Sequence, residues 1–282
     1  MIELKNVCYT YMHDSVFSHN ALNNINLKIK EDEFVAIIGH TGSGKSTLIS
    51  HMNGLIQPDS GSVFVDGIDM SDKKSRKKGR NLVGMVFQYP EYQLFEETVA
   101  KDIAFGPKNM KLSDDECDER VREAMKLVGL DYNEFADKSP FELSGGEKRR
   151  TALAGIIAMR PKYLVLDEPM AGLDPMGRKL ILDTITKLRE SLHCAVIMIS
   201  HSMDDVAKVA ERVIVVQDGK IILDGTPEKV FTNTDILKKT GLDIPSATQI
   251  AIKLREKGVN VPLEICDIQG LSEFLIRSLK IC

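Results

Sequence analysis

The sequence predicts an α/β fold: a parallel sheet flanked by helices, preceded by an antiparallel β subdomain and interrupted by a helical one. Three observations carry this. The apolar run Phe34-Val35-Ala36-Ile37-Ile38 passes through a glycine-rich loop into a helical pattern at Leu48, Ile49 and Met52 that stops at Gly54. Alternation at Ile2, Leu4, Val7, Tyr9 and Tyr11, and again at Ile25, Leu27 and Ile29, marks antiparallel strands with one wet face. Short apolar runs return at 163–166, 195–200 and 213–216 with helical patterns between them, as a parallel sheet requires.

The loop that follows the first apolar run is the chemical centre. Gly39-His40-Thr41-Gly42-Ser43-Gly44-Lys45-Ser46, followed by Thr47, fits G-x-x-x-x-G-K-[ST]. Gly39, Gly42 and Gly44 let successive N–H groups turn inward on an anion at the positive end of the next helix. That anion is expected to be a nucleotide triphosphate, with Lys45 on its β- and γ-phosphates and the Ser46 hydroxyl on a magnesium ion. The loop alone leaves kinases, GTPases, ATPases and motor proteins open.

Bulk composition narrows the class. The chain has 282 residues, 43% of them hydrophobic, enough for one large core with subdomains or for two modest domains. A net charge of −4 argues against nucleic acid as main partner, since that binding is driven by lysine and arginine displacing counterions. The one basic run, Lys73-Lys74-Ser75-Arg76-Lys77-Lys78-Gly79-Arg80, is read as a solvated loop. Cys8, Cys117, Cys194, Cys266 and Cys282 are scattered and odd in number, so neither a disulfide framework nor a zinc site is expected, and the cytoplasm is the expected compartment. No apolar run approaches the ~20 residues that span a bilayer, and the opening Met1-Ile2-Glu3-Leu4-Lys5 does not resemble a signal peptide. A role at a membrane therefore requires docking on other chains.

Taken in order, the strand ending at Tyr11 places that ring where it can stack on adenine or cover the core as an edge aromatic. Pro58-Asp59-Ser60-Gly61 is a turn and Asp66-Gly67 a hairpin signal. A buried strand over 81–87 ends at Gln88, and Pro90 prevents its extension. Residues 98–161 read as a helical subdomain, with a capping box from Ser113 to Glu116 and an apolar stripe at Cys117, Val121, Ala124, Met125 and Val128. Inside it, Leu143-Ser144-Gly145-Gly146-Glu147-Lys148-Arg149-Arg150 leads into another helix.

The strand at 163–166 ends in Asp167-Glu168-Pro169. Acidic turns after strands are common, but behind a phosphate loop this pair reads as Asp167 holding magnesium through water and Glu168 activating the attacking water. Asp174 caps a helix that Pro175 begins. His201 ends a strand of the same sheet, on the side where the ligand crevice of such sheets lies. Beyond 230, stripes at Ala247, Ile250, Ala251 and Leu254 and at Leu271, Phe274, Leu275 and Leu279 mark two amphipathic helices that pack on each other, on the core or on a partner.

GHTGSGKST, LSGGEKRR, YLVLDEP, AGLD and His201, in that order, resemble the ATP-binding subunits of ABC transporters over nearly all of residues 1–230. The decisive piece is Leu143 to Glu147, which other phosphate-loop families lack, and no guanine-reading N-K-x-D occurs. More narrowly, GMVFQYPEYQLF at 84–95 and DIAFGP at 102–107 resemble the energy-coupling factor (ECF) type, whose complexes import vitamins or transition-metal ions. The insertion at 15–22 and GHTGSGKSTLI are similar to the second of the two paralogous ATPases in such complexes. Met170 departs from the usual Thr or Ser after D-E-P but leaves both acids in place.

The resemblance implies a phosphate-loop core with an ATP-binding cassette over 1–230 and a C-terminal dimer-contact region over 231–282. It implies Tyr11 stacking adenine, Gly39 through Thr47 binding phosphates, Gln88 sensing magnesium and the attacking water, Glu168 as general base, His201 on the γ-phosphate and Asp174 among the nucleotide contacts. ATP and Mg²⁺ are the implied ligands. Ser144, Gly145 and Gly146 form an anion site at a helix N-terminus, expected to serve a triphosphate held by another subunit in a head-to-tail dimer, hetero favoured over homo. A transmembrane coupling subunit, a membrane substrate-capture subunit and a place on the cytoplasmic face of the membrane complete the expectation. The alternative, a soluble ABC ATPase acting on ribosomes or DNA, usually carries two cassettes or a long coiled coil; this chain has one phosphate loop and no heptad run.

Overall fold

The computed structural model describes residues 1–279. Cys282 lies outside them, as does the side chain of Leu279 at the end of the last apolar stripe. Strands β1 (Ile2–Tyr11), β2 (His19–Ile29), β4 (Ser60–Val65) and β5 (Ile68–Asp69) form an antiparallel sheet in the order β2-β1-β4-β5. The central sheet joins β3 (Phe34–Ile38), β6 (Val83–Val86), β7 (Tyr163–Asp167), β8 (Ala195–Ile199), β9 (Arg212–Gln217) and β10 (Lys220–Gly225) in the order β10-β9-β3-β8-β7-β6. All its pairings are parallel except β9 with β10.

Every residue of β3, β6, β7 and β8 is buried, because both faces of the central sheet are covered. On one face Ile37, Val165 and Ile197 pack with Leu48 and Ile49 of α1 (Lys45–Met52) and with Leu4, Ile25 and Val63 of the antiparallel sheet. At about 1.5–3 kcal/mol for each large aliphatic side chain taken from water, this contact is the main cement between the two sheets. The hairpin signals hold: Asp66 and Gly67 have φ of 48° and 76°, the left-handed pair that a two-residue turn between β4 and β5 demands.

The basic run at 73–80 is a helix, α2 (Lys73–Arg80), and not a loop. Asp72 caps it by accepting from the N–H groups of Lys74 and Ser75, lysine and arginine are good helix formers, and Gly79 is buried where a Cβ would strike Met70. The helical subdomain comprises α3 (Val99–Asn109), α4 (Asp114–Leu127), α5 (Tyr132–Phe135) and α6 (Gly145–Ile157). Its core continues through Leu153, Ala154 and Ile157 into Leu164, Leu166 and Met198 of the central sheet and Ile181, Ile185 and Leu188 of α7 (Pro175–Leu192).

After α8 (Met203–Val209) and the β9–β10 hairpin, the chain forms α9 (Pro227–Phe231), α10 (Thr234–Lys239), α11 (Ser246–Glu256) and α12 (Ile268–Leu279). The last two pack on each other through Ala247, Ala251, Val261 and Leu271, while Ile250 of the expected stripe stays exposed. Phe231, Leu237, Leu242 and Ile244 share a cluster with Ala36 and Ile38, so the region beyond 230 also rests on the core. Among the described residues no helix is long and apolar enough to cross a membrane.

His51 is fully buried on α1 beneath the edge of the Tyr9 ring, with Nδ1–H donating to the Thr47 carbonyl at 2.8 Å. Burial pushes its pKa below the ordinary imidazole value. A folded-state pKa below the unfolded one means that the unfolded chain binds the extra proton more readily. Stability is therefore lost as pH falls through about 6.5, and His51→Leu should flatten that acid limb, as melting temperatures from pH 5 to 8 will show.

Candidate active site

Because β3, β6, β7 and β8 are parallel, their carboxyl ends emerge along one edge of the sheet. That edge receives the loop 39–44 after β3, Gln88 after β6, Asp167 and Glu168 at the end of β7, and His201 after β8. Residues separated by more than 150 positions thus become neighbours, as open α/β sheets arrange their ligand crevices.

The anion cradle rests on α1. Its N-cap is Gly44, with φ of 105° and no side-chain acceptor for the first-turn N–H groups, whereas α2, α3, α4, α6, α7 and α8 each begin with a side-chain cap. Helices α9, α10 and α11 also start without a side-chain cap, but only at α1 do the bare donors follow a glycine-rich loop at the carboxyl edge of the sheet, where they fit an incoming phosphate. A side chain at 44 is excluded twice: by the left-handed backbone, and by the Ala21 carbonyl 2.4 Å from where a Cβ would sit. Lys45 is buried and curls over its own loop, donating to the carbonyls of Gly39 at 2.8 Å and His40 at 2.9 Å. Burial pulls its pKa down, opposed by the charges of Glu168 and Asp167.

Asp167 is buried near the Ser46 hydroxyl. Burial raises its pKa, the neighbouring Glu168 charge adds to the rise, and Ser46 and Lys45 oppose it. A buried carboxylate next to a hydroxyl suits a hard cation, and the donors Ser46, Asp167 and Gln88 fit Mg²⁺, which takes its remaining oxygens from phosphate and water. Among the described residues no cluster of three His, Cys, Asp or Glu side chains forms a metal cage, the usual arrangement where phosphates share the ion.

Glu168 stands at the centre of the edge. Its φ of 51° is left-handed, and its carboxylate accepts from Gln88 Nε2 at 3.2 Å and from His201 Nε2 at 2.8 Å. Held between two donors from different strands, it faces a cleft of about 310 Å³ also lined by Tyr11, Thr41, Gly42, Gly44, Lys45, Ser46 and Thr47. Tyr11 is 38% exposed; its hydroxyl lies 3.2 Å from Thr47 Oγ1 and its ring meets Tyr9 edge-on at 4.8 Å.

The sequence reading overlooked His19 and Ala21 as lining residues of this cleft. Their signal is the β1–β2 register, which sets His19 opposite Tyr11. Ser144, Gly145 and Gly146 are exposed at the start of α6 and do not line the cleft. The Ser144 N–H and hydroxyl both donate to Glu147 at 2.7 Å in a capping box, which leaves the Gly145 and Gly146 N–H groups as the available donors. Asp174 caps α7, accepting from Gly177 N–H at 2.7 Å, and does not line the cleft. Met170 is buried in the core against the helical subdomain, so the departure from Thr or Ser leaves the acids undisturbed.

Comparison with known proteins identifies the family. The ABC transporter family matches residues 22–171. The energy-coupling factor transporter ATP-binding protein EcfA2 of Clostridium acetobutylicum is 53% identical over 280 residues, covering 99% of this chain and 98% of that protein. EcfA2 of Ligilactobacillus salivarius is 48% identical over 259 residues, covering 91% and 89%. Among solved structures, cbiO1 of Clostridium perfringens, part of the ABC transporter complex cbiONQ, superposes with a TM-score of 0.73 at 39% identity, covering 84% of this chain and 93% of that one. The dimeric cassette MJ0796 in a post-hydrolysis state with ADP and phosphate gives 0.71 at 32% identity, covering 80% and 99%. A strand-bound phosphate loop, paired acids and a full-length likeness thus converge, and the chain belongs to the ABC transporter family, among the ATP-binding proteins of the energy-coupling factor type.

Proposed function

We propose that this chain hydrolyses ATP with Mg²⁺ to energise an ECF-type importer of vitamins or transition-metal ions. It does so as one half of a head-to-tail dimer on the cytoplasmic face of the membrane. The observation that carries the chemistry is the Glu168 carboxylate, gripped by Gln88 and His201 at the mouth of the uncapped α1.

The N–H groups of 42–47 and the Lys45 ammonium bind the phosphates, while Tyr11 and His19 flank the base. Bound between Ser46, Asp167 and Gln88, Mg²⁺ would offset charge on the β- and γ-phosphates. Glu168 takes the proton of a water as that oxygen bonds to the γ-phosphorus and the bond to the bridging oxygen breaks, releasing ADP and phosphate. His201 and Gln88 hold the carboxylate in line for that transfer. Asp167 is the buried member of the acid pair and keeps to the cation.

Dimerisation has its own support. Gly145 and Gly146 have ordinary helical φ, and a Cβ on Gly145 would meet nothing within 4 Å, so neither backbone strain nor this chain's packing requires glycine there. An approaching anion does: bare N–H groups at a helix start accept a phosphate only if no side chain intervenes. The anion is the γ-phosphate held by a second ATPase subunit, a paralogue of this chain. Once hydrolysis splits the bridging triphosphate, charge contacts across the interface weaken and the dimer opens.

The docking surface for a transmembrane coupling subunit is the groove between segment 89–95 and the helical subdomain. Exposed Phe95 and Phe105 meet edge-on at 4.9 Å and line it with Leu94, Met110 and Met159. The coupling subunit in turn joins a substrate-capture subunit in the membrane.

Glu168→Gln should cut hydrolysis by about 10²–10⁴-fold while retaining ATP binding, measured by phosphate release and nucleotide titration; unimpaired turnover would remove Glu168 as the base. Gly145→Asp places a helix-compatible negative charge opposite the γ-phosphate. It should leave the melting temperature nearly unchanged yet lower turnover at least about tenfold. Phe95→Ala with Phe105→Ala should abolish co-purification of a polytopic membrane protein without changing ATP affinity.

A further inference from the structure

Arg149, four residues into α6, is used by nothing described above. Its side chain is 7% exposed, and its guanidinium forks onto Glu91, Nε to Oε2 at 3.2 Å and Nη2 to Oε1 at 3.0 Å. The remaining side of the fork donates through Nη1 to the carbonyls of Pro169 at 3.3 Å and Ala171 at 3.0 Å. Glu91 belongs to a short 3₁₀ turn, Pro90–Gln93, that follows Gln88 and borders the groove. Pro169 and Ala171 belong to the tight turn closed by Ala171 N–H donating to the Glu168 carbonyl at 3.0 Å.

One cation therefore ties three segments that each act on the nucleotide or the partner. The Tyr89 ring also sits beside the same turn, 3.8 Å from where a Cβ on Gly172 would be. Both arms of this clamp are in unfavourable backbone, with φ of 58° at Tyr89 and 51° at Glu168, conformations that persist only where surrounding contacts over-determine them. A buried ion pair adds little net stability over an apolar replacement, so its value here is geometric. Lysine could carry the charge, but its three donors cannot reproduce the four hydrogen bonds, two to the carboxylate and two to carbonyls, that the planar guanidinium makes here.

We propose that Arg149 is a positioning residue for hydrolysis: it anchors the turn that aims Glu168 to the groove-bordering Glu91, so that the partner's seat and the general base share one rigid clamp. This rests on the ATPase reading above. The geometry makes turnover, and not ATP affinity, the quantity at stake, because no atom of Arg149 lines the nucleotide cleft.

The test uses the membrane complex purified through the full chain, with Mg·ATP hydrolysis measured for Arg149→Lys, Glu91→Gln and both together. Expected is a kcat about ten- to hundredfold lower in each single variant with KM for ATP unchanged, and a double variant no worse than the poorer single one, as members of one clamp behave. Wild-type kcat in folded Arg149→Lys and Glu91→Gln, or independent losses that multiply in the double variant, would overturn the proposal. If Arg149→Lys does not fold, Glu91→Gln decides by the same criterion. A wild-type complex that turns over no ATP overturns the underlying ATPase reading and this proposal with it, a pattern distinct from normal turnover with indifferent variants.

Discussion

The bare N-terminus of α1 is the constraint on which the active edge depends. A helix start carries about half a positive charge and several unpaired N–H groups, and seven other helices among the described residues, α2 to α8, satisfy some of theirs with a serine, threonine or aspartate side chain. At α1 the cap is glycine, forced into a left-handed conformation beneath the Ala21 carbonyl. The antiparallel sheet that supplies Ala21 thus does more than cover the core: it presses the loop into the form that leaves those donors free for phosphate.

Burial then sets the charges around that cradle against each other. Asp167 and Lys45 are both withdrawn from water, and desolvation moves both pKa values toward the neutral form, up for the acid and down for the amine. The same low-dielectric setting strengthens every contact to a triphosphate and its cation. Glu168, one residue beyond the strand, escapes the deepest burial and is held instead by hydrogen bonds from Gln88 and His201. Adjacent acids thus sit in different surroundings through a single change of depth.

The start of α6 presents the complementary case. Its serine is engaged in a capping box, while Gly145 faces open space. Helix geometry inside one chain does not explain that glycine; the proposed ligand held by a neighbouring subunit would. The clamp at Arg149 joins this helix to the turn beside Glu168, so the start of α6 and the Glu168 carboxylate are fixed to one element.

The strands, the phosphate loop, the acid pair and the caps at Ser113 and Asp174 were legible in the sequence, because each depends on short-range rules: burial on both faces of β3, left-handed glycine at Gly44, and a polar oxygen before a run such as that begun by Pro175. The basic helix α2 was not, since a run without an apolar stripe gives no periodicity; its signals, the Asp72 cap and Gly79 against Met70, are local chemistry and a tertiary contact. His19 and Arg149 were likewise hidden. One reaches the cleft through strand register and the other meets Glu91 and Pro169 only after 58 and 20 residues of intervening chain have folded. Sequence by itself determined which chemistry this protein carries, because a phosphate loop and paired acids are written in consecutive residues. Only tertiary structure decided how that chemistry is aimed, because the direction of a carboxylate is set by donors that parallel strands bring together from distant parts of the chain.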